Sequence, residues 1–193
     1  MMKITMADSR QLINRIKSGD HSAFQTLIET YQRLVSHIVF RAIPNVSDRE
    51  DICQDIFFKV YQNIGGFRFE SKVSTWIARI AYNTCINYLQ KKKVPLFDDH
   101  TFEDETLDSV SGQSKLPDAI TEGKDTASRL QAEIEALDVR YRTILTLYHL
   151  DEMSYAEIGK IMNLPEGSVK SYLFRARKRL REKLLIQYQR EEL

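Results

Sequence analysis

Apolar side chains recur every three or four positions through two parts of this 193-residue chain, and the recurrence stops between Pro95 and Thr126. Such a chain is constrained to fold as helices that pack through one face, because that spacing gathers apolar groups on one side of a helix. No strand-like alternation competes with it, and no internal repeat is visible. The interruption carries DDHTFEDETLDSVSGQSKLPD, rich in Asp, Glu, Ser and Thr, and reads as a flexible acidic linker. The expected organisation is therefore all-α: two small helical domains, residues 1–94 and 128–193, joined by a linker over 95–127.

Charge follows the same division. The net charge of +1 conceals +6 over residues 1–94, −7 over 95–127 and +2 over 128–193. Two basic parts flanking an acidic strip make nucleic acid a natural partner for the ends. With 42% hydrophobic and 28% charged residues, the chain has an ordinary globular composition. No stretch approaches the roughly 20 apolar residues of a membrane span, and MMKITMADSRQ lacks the apolar core of a signal peptide, so a cytoplasmic location is expected. Cys53 and Cys85 form no CxxC and lie near no His pair, so they read as small buried thiols.

In the N-terminal part, Phe24, Leu27, Ile28, Tyr31, Leu34, Val35, Ile38 and Val39 form one apolar stripe, and Pro44 ends the segment. Ser47 followed by Glu50 reads as a capping box, which predicts a second helix from Asp48 with Ile52, Ile56, Val60 and Ile64 facing inward. Gly65 and Gly66 stop it. Its outer side shows Asp48, Asp51, Gln54, Asp55 and Lys59 beside an exposed Phe58. That surface suits a basic partner helix, or simply water.

A third helix buries Ile77, Ile80, Ala81, Thr84 and Tyr88, with Trp76 and Tyr82 in or beside the core, and ends at Lys91, Lys92 and Lys93. Opposite its apolar stripe, Arg79, Asn83 and Asn87 recur every four residues and offer donors to unpaired bases and phosphates. The loop before it, Phe67, Arg68, Phe69, Glu70, Ser71 and Lys72, mixes aromatic rings with cations. Such a mixture can stack a base while neutralising its phosphate. The plainer reading leaves the asparagines solvated and the two phenylalanines in a core.

Helical period returns at Leu130, Ile134 and Leu137, then at Ile144, Leu145 and Tyr148. The stretch from Met153 to Leu184 is the most informative. Ser154 with Glu157 forms a capping box that opens a short helix burying Ala156, Ile158 and Ile161. Met162-Asn163-Leu164-Pro165 breaks it, and the next helix carries Val169, Leu173, Ala176, Leu180 and Leu184 on one face. This is a helix-turn-helix pattern, in which a short helix braces a second whose outer face can enter the major groove. On that outer face stand Lys170, Ser171, Phe174, Arg175 and Lys178, and residues 166–190 hold 8 basic side chains against 2 acidic ones. Phosphates call for such cations, and base edges for donors with an apolar contact for thymine.

No phosphate-cradling GxxxxGK[ST] loop, HExxH or nucleophile arrangement is present, and His21, His37, His100 and His149 are scattered. No catalysis, cofactor or metal is expected. Sequence physics alone leaves three readings open: a subunit that reads DNA through both ends, a two-domain regulator whose N-terminal part binds a ligand or dimerises, and a helical adaptor.

Together these residues resemble an extracytoplasmic-function (ECF) sigma factor, the compact branch of the bacterial sigma-70 family, over nearly the whole chain. DREDICQDIFFKVYQNI is similar to the family segment that binds the clamp helices of the RNA polymerase β′ subunit. FESKVSTWIARIAYNTCINYL resembles the segment that opens and reads the minus-10 promoter element, and SYAEIGKIMNLPEGSVKSYLFRARKRLRE the helix-turn-helix that reads minus-35. The resemblance implies Asp51, Gln54 and Asp55 at the clamp helices. It implies Asn83 and Asn87, with Arg79 and the Phe67–Lys72 loop, at a base flipped from the non-template strand. Lys170, Ser171, Phe174, Arg175 and Lys178 would meet the minus-35 duplex. The implied partners are core polymerase, through its β′ clamp helices and β flap, promoter DNA, and an anti-sigma factor. The linker would thread toward the polymerase active site and RNA exit path. Tyr172 departs from the pattern, standing where many relatives carry Arg.

Overall fold

The computed structural model describes residues 6–92 and 130–191, all of whose regular structure is helical. Four helices make the N-terminal module: α1 (Met6–Lys17), α2 (His21–Ala42), α3 (Val46–Asn63) and α4 (Val73–Lys91). A helical turn at 130–135 precedes the C-terminal module, α5 (Val139–His149), α6 (Tyr155–Met162) and α7 (Glu166–Glu191). The expected linker lies outside the described residues.

Helix α1 is absent from the sequence reading. It precedes Gly19, whose φ of +90° lets the chain turn sharply into α2. Asp20 caps α2, accepting from the Ala23 amide at 3.1 Å while the Arg15 guanidinium holds it at 2.7 Å. The start of α3 corrects the expectation: the helix begins at Val46, and its cap is Asn45, which accepts from the Ser47 amide at 3.3 Å. The Ser47 hydroxyl donates to that same Asn45 oxygen instead of capping. A 3₁₀ turn over Ile64–Gly66 ends α3 where the two glycines fall. Tyr88 of α4 donates to Asp48 and ties the far end of α4 to the start of α3.

Leu27, Val35, Ile38, Ile56, Val60, Ile77, Ala81 and Leu89 are buried in the N-terminal core, and Tyr141, Ile144, Leu147, Ile158, Ile161, Val169, Leu173 and Ala176 in the C-terminal one. Cys85 is fully buried, which pushes its thiol up to about 12, and Cys53 is half-buried. Ala156 is exposed, contrary to the sequence reading, because the inner face of α6 is taken by Ile158, Gly159, Ile161 and Met162. The modules are not held apart: α2 packs on α5 and α4 on α6, and one buried apolar cluster runs through both.

Candidate nucleic-acid interfaces

The helix-turn-helix is assembled by local chemistry. Ser154 accepts from the Glu157 amide at 3.3 Å while the Glu157 carboxylate accepts from the Ser154 amide at 3.0 Å, the reciprocal capping box expected from the sequence. Asn163 then adopts φ 55° and ψ 50°, the left-handed cap that ends α6. The turn is so tight that a Cβ on Gly159 would lie 2.7 Å from the Leu164 carbonyl oxygen. Only glycine fits there, and the sequence reading did not single it out.

On α7 the five expected readers share the outward side. Lys170, Phe174 and Lys178 are exposed, and Ser171 and Arg175 are half-buried. The Ser171 hydroxyl donates back to the Gly167 carbonyl at 3.1 Å. Lys170 stands 3.3 Å from Glu166 and over the ring of Tyr155. That ring stacks on Tyr148 with centroids 5.3 Å apart, and the Arg177 guanidinium sits over Tyr148 at 5.1 Å. This ladder of cations and tyrosines braces α7 against α5 and α6, and no single stretch of sequence displays it. Tyr172 turns inward, edge-on to Tyr141.

The N-terminal loop is shaped from outside itself. Phe67 is only 5% exposed, its ring against Phe69 and Trp76 at 4.9 and 5.0 Å, so it anchors the loop and presents no free face for stacking. Phe69 has φ 59°, an uncommon conformation for a side chain of its size. Arg10 and Lys17 of α1 lie over its ring, and the Lys17 ammonium donates to the Phe67 carbonyl at 2.9 Å. Behind the loop opens a cleft of about 460 Å³, lined by Arg68, Glu70, Ser71, Thr75, Trp76 and Arg79, with Lys160 and Asn163 of the C-terminal module on its far side. Lys72 stands at the N-cap position of α4 without a side-chain cap, and its ammonium pairs with Glu157 at 2.9 Å. Burial would raise the Glu157 carboxyl, but Lys72 and Ser154 hold it below the usual range.

Arg79, Asn83 and Asn87 are all exposed along α4 and continue the cleft as one polar stripe. On α3, Asp51, Gln54 and Asp55 are exposed beside Phe58, itself 59% exposed, although Asp55 is paired with Lys59 at 2.6 Å. Among the described residues no three His, Cys, Asp or Glu side chains gather as metal ligands, and no helix is long and apolar enough to cross a membrane.

The family description "Sigma-70 region 2" matches residues 27–94, and "Sigma-70, region 4" matches 127–180. The chain is 34% identical over 179 residues to the ECF RNA polymerase sigma factor SigW of Bacillus subtilis (strain 168), covering 91% of this chain and 96% of that one. It is 35% identical over 177 residues to the ECF RNA polymerase sigma-E factor of Escherichia coli (strain K12), covering 90% and 92%. In fold it is similar to the sigma factor RpoE of Bartonella quintana, solved in complex with the anti-sigma factor NepR. The TM-score is 0.62 at 20% identity, over 84% of this chain and 97% of that one.

Proposed function

The chain belongs to the ECF sigma factors of the sigma-70 family and is a promoter-specificity subunit of RNA polymerase, and from that premise we propose which residues perform each part of the task. Residues 1–94 bind core polymerase and read and melt minus-10, residues 128–193 read minus-35, and 95–127 connect them. It works in the cytoplasm as a subunit without catalysis of its own.

Lys170, Lys178 and the start of α7 neutralise minus-35 phosphates, while Ser171 and Arg175 meet base edges and Phe174 supplies the apolar contact that suits a thymine methyl. The observation that carries this reading is the outward face of α7, borne on a helix that the capping box and Gly159 turn hold rigidly. On the other module, Asn83 and Asn87 hydrogen-bond an extruded base, and Arg68, Lys72 and Arg79 hold its phosphates. Trp76 and the buried Phe67 wall the cleft, and Phe69 packs against Phe67 from the loop. Duplex DNA cannot present such a base, so its capture offsets unstacking of about a few kcal/mol and favours the melted promoter. Asp51, Gln54 and Asp55, with Phe58 at their side, dock on the β′ clamp helices, and the C-terminal module on the β flap. An anti-sigma factor is the further partner, as NepR is for the Bartonella protein.

The test is run-off transcription with core polymerase and this chain on genomic fragments. Initiation at discrete promoters is expected. A sequence-specific dimeric complex formed without polymerase would favour the two-domain regulator instead.

A further inference from the structure

We infer that the cleft behind the minus-10 loop is also a binding site for a free nucleoside 5′-triphosphate. The inference rests on the reading given above, in which the same cleft takes a base and its phosphate from DNA. The cleft is about 460 Å³, within the roughly 300 to 1,000 Å³ of small-molecule sites. Three cations line it: Arg68 from the loop, Arg79 from α4 and Lys160 from α6. All three are exposed, and none has a hydrogen bond or ion pair to another described residue. By contrast, Lys72 is engaged by Glu157, Lys170 by Glu166 and Arg179 by Asp138. Glu70 is the only acid among the lining residues, so three cations against one carboxylate leave the walls with an excess of positive charge.

That excess selects the ligand class. Each guanidinium can take a phosphate through paired N–H donors, and the Lys160 ammonium adds a point charge from the opposite wall. A bare polyphosphate would answer the charge and leave the remaining lining unused. Trp76, half-buried against Phe67, offers an aromatic wall to a base, and the Asn163 amide and Ser71 hydroxyl offer donors and acceptors to a base edge or a ribose. Nucleotide and DNA use the cleft unequally. Both need Arg68 and Arg79, so they exclude each other, whereas Lys160 and Asn163 serve the nucleotide alone.

The experiment uses the full chain, with ATP as the probe. Trp76 is the one tryptophan of the sequence, so its emission reports the cleft itself, and calorimetry gives the affinity. ATP is expected to change that emission and to bind about tenfold or more tighter than tripolyphosphate or adenosine, each of which keeps only part of the contacts. Equal binding of tripolyphosphate would reduce the site to a general anion patch and overturn the inference. Lys160→Glu is expected to weaken ATP about tenfold, through loss of one charge-assisted contact, with promoter selection by holoenzyme unchanged. Lys160→Gln gives a smaller loss of the same sign and covers the case in which the Glu variant fails to fold. Lys91→Glu makes the same charge change at the opposite end of α4 and should leave ATP affinity unaltered, and an equal loss there would overturn the site. A single-stranded minus-10 oligonucleotide should displace ATP, and a complex holding both would also overturn it. Intact promoter selection with no ATP binding overturns this inference alone, whereas wild-type holoenzyme that fails to select promoters overturns the reading beneath it.

Discussion

The two DNA surfaces proposed for this chain are made of opposite materials. One is the face of α7, where spacing along a single rod aligns Lys170, Ser171, Phe174, Arg175 and Lys178. The other is a loop of six residues whose shape is imposed by α1, by the buried ring of Phe67 and by Trp76. The difference follows from the targets. A duplex offers a regular groove that a rigid helix can match, whereas a base drawn from the stack needs a concave, adjustable cleft. The helix reader should therefore fail through damage inside its own motif, and the loop reader through damage to elements distant in sequence.

The largest expected effect tests the first half of that statement. Gly159→Ala drives a Cβ to 2.7 Å from the Leu164 carbonyl oxygen, a backbone atom that cannot rotate away. Overpacking of this kind destabilises by about 3 kcal/mol. Denaturant unfolding should show the C-terminal module melting early, with minus-35 binding lost and the N-terminal module intact. Concerted loss of both modules would mean that their packing, not the turn, governs stability. Next in size, Arg175→Ala should weaken the minus-35 element by about 1 to 3 kcal/mol and relax preference at one base position, measured with holoenzyme on a panel of promoter duplexes. An unaltered preference would remove Arg175 from the readers and leave α7 as a phosphate-binding rod. Smaller again, Ser154→Ala removes one half of the capping box and should lower C-terminal stability by about 1 kcal/mol without moving N-terminal unfolding.

The same asymmetry explains how much could be read from sequence. The helix-turn-helix was legible because its determinants lie within a few residues of one another: Ser154 with Glu157, the break at Asn163, and the stripe from Val169 to Leu184. Local reading erred where a nearer group competed, as when Asn45 took the cap expected of Ser47. It erred again at Ala156, whose place on the inner face other residues fill. The loop was legible in composition but not in support, since the Lys17 ammonium reaches the Phe67 carbonyl across 50 positions. The contact between modules was invisible for the same reason: Thr75 and Glu157 are 82 positions apart, His37 and Asp151 114. Nothing in a helical period specifies which faces of separate bundles will meet.

The smallest expected effect bears on the second half of the comparison. Lys17 lies on a helix with no residue among the proposed DNA contacts, yet its ammonium bonds the Phe67 carbonyl and lies 5.7 Å from the centroid of the Phe69 ring. Lys17→Met keeps the length of the side chain and removes both interactions, together worth about 0.5 to 1 kcal/mol at an exposed site. If the loop depends on that brace, Phe69 relaxes from its left-handed conformation and its neighbours Arg68, Glu70 and Ser71 leave their places along the cleft. Promoter opening by holoenzyme should then fall about two- to fivefold, read by permanganate reactivity of unpaired thymines, while minus-35 duplex affinity stays constant. Equal losses at both elements would mark Lys17 as a general phosphate contact. No loss at either would mean that Phe67, Phe69 and Trp76 hold the loop by themselves, and the contrast between a self-sufficient helix and a dependent loop would disappear.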